Sequence, residues 1–185
     1  MTRPPPADET GRVFDELLVT LARAGDRRAG ERLAARWQPR LLRTARRLLR
    51  DDELAREAVQ DAWAGICRGW IGLSDPARFP AWAFGVLHRK CADRLRGEIA
   101  RRRREAPLDG VEVAARAPDG ALAVALDRAL GALGPDHRAA AVLYYGEGLT
   151  LAEIAAATGV PEGTAKSRLF HARRQLKAAL EGDQP

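Results

Sequence analysis

The sequence predicts an all-α protein: two small helical domains joined by a flexible linker. Apolar residues recur at steps of three and four along nearly the whole chain, and runs alternating at period two are absent. One stretch past the middle loses that period and gains a four-Arg run, prolines and two Asp-Gly pairs, the marks of a connection. A length of 185 residues leaves room for one ordinary domain or two small ones.

Taken in order, residues 1–11 hold prolines and acids and are expected to form a disordered N-terminus, with the first domain over 12–96. Its first helix carries Val13, Phe14, Leu17, Leu18 and Leu21. The second opens after Gly25 and Asp26 and carries Leu33, Trp37, Leu41, Ala45 and Leu48. A third starts at Asp51, Asp52 and Glu53, acids suited to a helix N-terminus, and lines up Ala58, Val59, Ala62, Trp63, Ile66 and Trp70 before the turn residues GLSDP. After Asp75 and Pro76 a fourth places Phe84, Leu87, Cys91 and Leu95 on one face. Residues 97–120 read as the linker. The second domain, 121–180, opens with Leu122, Leu126, Leu130 and Leu133, stopped by Gly134 and Pro135. A helix over 139–145 and two short helical patterns, 151–157 and 162–180 joined by TGVP, complete it before a tail of 181–185.

Thirty-one Lys and Arg against 25 Asp and Glu give a net charge of +6, which suits a polyanionic partner. No apolar run approaches the roughly 20 residues that span a bilayer. The N-terminus lacks the apolar core of a secretory signal. The chain is therefore expected to be cytoplasmic, without membrane insertion. Cys67 and Cys91 cannot make a structural zinc site and, among apolar neighbours, read as small buried hydrophobes. His88, His137 and His171 are scattered with no metal-ligand or triad spacing, and there is no P-loop, dinucleotide fingerprint or nucleophile elbow. No catalytic residue, metal or cofactor is expected, and the chain does not read as an enzyme.

The segment TLAEIAAATGVPEGTAKSRLFHARRQL has the layout of a helix-turn-helix. Thr150 and Glu153 have the capping-box spacing, Gly159 can take the left-handed turn position, and Pro161 precedes the second helix. At about 100° per residue, Ala165, Leu169, Ala172, Leu176 and Leu180 share one stripe. Gly163, Ser167, Phe170 and Arg174 fall opposite, with Lys166 and His171 beside them. An outward Phe has a use in a major groove, against a thymine methyl. Lys166, Ser167, Phe170 and His171 are placed to reach base edges, and Arg173 and Arg174 to reach phosphates.

In this order the pieces resemble a bacterial RNA polymerase sigma factor of the sigma-70 family, extracytoplasmic-function group, which keeps the two domains called sigma2 and sigma4. The second domain is similar to sigma4, reader of the minus-thirty-five element. In the first, AREAVQDAW is similar to the polymerase-binding helix of sigma2, and FPAWAFGVLHRKCADRLR to the segment that opens and reads the minus-ten element. The resemblance implies core RNA polymerase, duplex and single-stranded promoter DNA and an anti-sigma factor as partners. It assigns Glu57, Gln60 and Asp61 to polymerase binding. Four positions depart from the usual pattern: Arg89 stands for a common Asn, Ala83 for an aliphatic residue, Ala165 for a Val and His171 for an Arg. The alternative is a polymerase-independent helix-turn-helix regulator with the first domain as dimeriser or sensor, although nothing resembles a ligand-sensing domain.

Arginines at 40, 43, 46, 47 and 50 precede acids at 51, 52, 53, 57 and 61. Two helices pairing their charges would explain the switch, and so would an acidic patch facing polymerase; both can hold for different residues. Trp63, Trp70, Phe79, Trp82 and Phe84 crowd next to a basic segment over 89–104, a composition suited to single-stranded DNA. Trp63 and Phe84 are expected in the core. Trp82, about 160° from Phe84, shares a face with Arg89, Asp93 and Arg96. That face and the loop over 72–79 are the candidates for capturing an extruded minus-ten base.

Overall fold

A computed structural model describes residues 9–105 and 121–181, and every regular element among them is helical. Helix α1 (Glu9–Arg23) ends at Gly25, whose φ of 96° turns the chain into α2 (Arg27–Leu49). There the Asp26 side chain caps the start, accepting from the backbone N–H groups of Arg28 and Ala29. Arg50 in the left-handed conformation closes α2, and Asp51 caps α3 (Asp52–Gly69) through the Leu54 N–H. Two short 3₁₀ turns, Trp70–Gly72 and Pro76–Arg78, lead into α4 (Phe79–Glu105). Helices α5 (Ala121–Ala132), α6 (Pro135–Ala141), α7 (Leu151–Thr158) and α8 (Glu162–Glu181) complete the order. A π-helical turn, Val142–Gly146, extends α6.

Three boundaries differ from expectation. Helix α1 takes in residues 9–11 of the expected tail, and α8 reaches Glu181; residues 1–8 and 182–185 lie outside the described residues. Helix α4 runs nine residues into the stretch read as linker, of which 106–120 lie outside the described residues. The reason is local. The residues Glu98 to Glu105 are, apart from Ile99, strong helix formers, and Glu98 pairs with Arg101 one turn on.

The apolar core is continuous through the molecule. Trp37 is its centre in the N-terminal half (α1–α4), with Phe79 edge-on at 4.9 Å and Phe84 at 5.3 Å, all three fully buried. Leu133, Leu143, Leu149 and Ile154 form its counterpart in the C-terminal half (α5–α8). The two halves meet where α4 packs on α7. A Cβ at Gly85 would lie 3.2 Å from the Ala157 Cα, so glycine lets the two backbones approach to this distance.

Helix α1 is rotated relative to its apolar stripe. Leu18 and Val19 are buried, but Val13, Phe14, Leu17 and Leu21 are exposed. The inward side carries Asp15, 1% exposed and bonded at 2.7 Å to the Arg36 side chain of α2. Cys67 also departs from expectation: it is exposed on α3, whereas Cys91 is buried and its thiol is pushed up to about 12 by loss of hydration.

Candidate nucleic-acid interface

The helix-turn-helix forms as its local chemistry dictates. Thr150 Oγ1 accepts from the Glu153 N–H at 3.2 Å and the Glu153 carboxylate accepts from the Thr150 N–H at 2.7 Å, closing the capping box. Gly159 ends α7 at φ 71°. On α8, Ala165, Ala172 and Leu176 are buried and Leu169 and Leu180 half-buried, so the stripe lies against α5, α6 and α7. The opposite face presents Lys166, Ser167, Phe170, His171, Arg173 and Arg174, all exposed, with Phe170 at 62%. Cations, a hydroxyl and an apolar ring on one exposed face are the side-chain types that contact base edges and a thymine methyl in a major groove.

His171 is less free than its exposure suggests: its ring stacks on His137 at 5.8 Å, and Phe170 meets it edge-on at 5.6 Å. On the other flank of α8, Tyr145 from the π-helical turn joins Lys166, Phe170 and Arg173 around a largely apolar groove. The sequence reading missed Tyr145, which ends an apolar run and falls out of phase with its stripe.

The residues proposed for single-stranded DNA separate. Arg89 and Arg96 are exposed on α4. Trp82 is not an open platform: its indole packs across Gly69 of α3, where a Cβ would come within 2.7 Å, and stands 6.0 Å from the Phe79 ring. It is half-buried because α3 crosses the face that the helical wheel leaves outside. Phe84 is buried as expected. Trp63 is half-buried, its indole N–H donating to Gln38.

The charge switch is partly internal pairing and partly an acidic patch open to solvent. Asp52 is bridged by Arg46 and Arg56, with the Arg46 hydrogen bond leading the causes that hold its carboxyl below the usual range. Glu57 and Asp61 face Arg94 of α4 at 2.7 and 2.6 Å, and the Asp61 bond raises the guanidinium's proton affinity further. Both carboxylates stay about 45% exposed, and Gln60 is exposed beside them. The patch therefore faces solvent while held in place by an arginine that the acid count alone did not suggest.

Across the junction of the halves, polar contacts supplement the helix crossing. Glu147, its side chain 1% exposed, accepts from Thr44 Oγ1 at 2.6 Å and from Arg40 at 3.2 Å. Arg12 bridges Glu153 at 2.8 Å and donates to the Gly148 carbonyl. Arg138 donates to Leu48 of α2 as well as to the terminal carbonyls of α5 at Leu130 and Gly131 and to Leu133 beyond it.

Residues 33–103 match the family described as Sigma-70 region 2, and residues 123–176 the one described as Sigma-70, region 4. The ECF RNA polymerase sigma factor SigM of Mycobacterium tuberculosis is 37% identical over 167 residues, spanning 90% of this chain and 84% of the relative. RNA polymerase sigma factor CarQ of Myxococcus xanthus is 30% identical, spanning 85% of this chain and 92% of its own. Among solved structures, the sigma factor RpoE in complex with the anti-sigma factor NepR from Bartonella quintana has a TM-score of 0.69 at 25% identity, covering 83% of this chain and 98% of that one. CnrH in complex with the cytosolic domain of CnrY has a TM-score of 0.65 at 26% identity, covering 92% and 99%.

Proposed function

This chain belongs to the sigma-70 family of RNA polymerase sigma factors, in its extracytoplasmic-function group, and from that membership we propose how its two halves act. It is a sigma factor, a non-enzymatic initiation factor that binds core RNA polymerase and directs it to promoters. The division of labour proposed is a sigma2-like unit over 12–96 and a sigma4-like unit over 121–180, with 97–120 as the connection.

The observation that carries this reading is the exposed row on α8, set on a complete helix-turn-helix. Lys166, Ser167, Phe170 and His171 would read the minus-thirty-five major groove, and Arg173 and Arg174 would hold phosphates. Glu57, Gln60 and Asp61 would dock basic side chains of the polymerase. Arg89 and Arg96 would draw the minus-ten strand along α4, where capture of an extruded base would offset part of the cost of unpairing. Trp82, packed on Gly69, serves this surface as its wall.

Geometry adds a step. The element names imply a separation of about 25 base pairs, roughly 85 Å at 3.4 Å per step. The two halves are in contact here, so one duplex cannot engage both units until they part. Residues 106–120 can span about 50 Å when extended. An anti-sigma factor is the natural second partner, since RpoE and CnrH were each solved with a partner of their own. The site of action would be cytoplasmic, with the polymerase; among the described residues, no helix is long and apolar enough to cross a membrane.

The test is reconstitution of purified chain with core polymerase on templates selected from a randomised promoter library. Transcripts that depend on the chain support the reading. Duplex binding without association with core would overturn it in favour of an independent regulator.

A further inference from the structure

His171 is exposed on the reading face of α8, yet two rings meet it. His137 of α6 stacks on it with centroids 5.8 Å apart and planes 29° from parallel, and Phe170 meets it edge-on at 5.6 Å. The preceding residue of α6, Asp136, pairs with Arg168, about one helical turn before His171. Consecutive residues at the start of α6 thus hold two residues of one face of α8, the first by charge and the second by ring contact. Helix α6 is itself firmly seated. Arg138 donates to the carbonyls of Leu48, Leu130, Gly131 and Leu133, and Ala139, Ala140 and Ala141 are buried.

We propose that His137 is a positioning residue for minus-thirty-five recognition: its ring fixes the orientation of His171, and through it the base that His171 prefers, without touching DNA. The proposal rests on the sigma reading and deepens it. An exposed histidine turns about two side-chain bonds, and an imidazole reads a base edge only when a ring nitrogen points at it. Immobilising such a side chain on binding carries an entropic cost, which a stacked partner removes beforehand. His137 is half-buried and His171 exposed, so the first ring is the fixed one and the second is left to meet the groove. Phe170 cannot take this part. It neighbours His171 on the same helix, moves with it, and is 62% exposed itself.

Loss of the stack should reduce discrimination at the base that His171 reads by about 2- to 10-fold, the range expected for one side chain that must be ordered on binding. A role in folding alone would weaken all sequences in proportion and leave the preferred one unchanged.

Selection from a randomised promoter library with the reconstituted holoenzyme decides it, with circular dichroism and the melting temperature of each variant recorded alongside. Comparison of wild type with His171→Ala first identifies the base that His171 reads. His137→Ala should flatten the preference at that base, and His137→Phe, which keeps a stacking ring, should restore most of it. Combined with His171→Ala, the alanine at 137 should flatten nothing further. His137→Leu fills the space without a flat ring and should behave as alanine does, which covers the case in which the smaller side chain unsettles α6. Unchanged preference in both His137→Ala and His137→Leu would overturn the proposal, and so would leucine restoring it as fully as phenylalanine. A changed preference at a base that His171→Ala leaves alone would make His137 a direct reader and equally refute a positioning role. If the wild-type holoenzyme selects no minus-thirty-five sequence, the promoter reading of α8 falls and this proposal with it; a preference that depends on His171 and not on His137 sinks the proposal alone.

Discussion

Gly85→Leu tests whether the contact between the halves is a separable interface or part of an indivisible fold. A Cβ at this position would meet the Ala157 Cα at 3.2 Å and its carbonyl oxygen at 3.3 Å, backbone atoms with no rotamer to escape into. A leucine side chain extends well beyond that Cβ, so α4 and α7 must move apart. Overpacking of this kind costs about 1–3 kcal/mol. Within α4 the same change favours helix by roughly 0.8–1.0 kcal/mol, because glycine is the poorer helix former. The penalty therefore falls on the contact and the benefit on the helix. The open-to-packed ratio should rise about 5- to 150-fold, the equivalent of 1–3 kcal/mol. Small-angle scattering checks it against a packed radius of gyration of roughly 16 Å for a chain of this length, with circular dichroism recorded in parallel. Expansion at constant helicity is expected. An unchanged radius would show that the interface absorbs the side chain, and loss of helical signal would show that α4 cannot fold without that crossing; either result refutes the reasoning.

Asp61→Arg should weaken core polymerase binding yet cost under about 1 kcal/mol of stability, because its bridge to Arg94 is half-exposed; a large drop in melting temperature would place Asp61 among structural residues. Trp82→Ala should lower thermal stability by more than 1 kcal/mol, since the ring fills the space over Gly69. Arg89→Ala, on the exposed face, should leave stability alone and impair transcription from a duplex promoter more than from a pre-melted one. His171→Arg should change the preferred minus-thirty-five sequence in a library selection, while Arg174→Ala should weaken all sequences alike and reduce the salt slope by about one. Burial tends to raise the Glu153 carboxyl, but bonds from Arg12 and Thr150 outweigh it and hold it below its ordinary 4.5. The stability it contributes is full above that value and lost as pH falls below it. Glu153→Gln should flatten the acid side of a melting-temperature profile, and a profile identical to wild type would remove Glu153 from that role.

The course of α8 was legible from sequence because a single stripe at helical period, a capping box and a glycine turn all act within a few residues of one another. Ala165, Ala172 and Leu176 are buried as that stripe requires, and Phe170 is left outside. Local chemistry also explains why α4 runs on into the stretch read as linker. Four arginines looked like a break in the apolar pattern, but arginine is a good helix former, and α4 continues to Glu105.

What sequence alone determined was helical type, the caps, and a charged and aromatic composition suited to DNA, because each depends on neighbours within about two turns. What only the tertiary structure decided was which face of each helix is covered. In α1 the ion pairs of Asp15 with α2 turn most of the apolar stripe toward solvent. Crossing by α3 covers Trp82, Arg94 takes the two carboxylates of the acidic patch, and His137 of α6 meets His171 of α8. A helical period defines a face but carries no information about which distant element will pack against it. That choice is made by close approach at positions such as Gly85, and by buried charges such as Asp15 and Glu147 that must find their arginines across the fold.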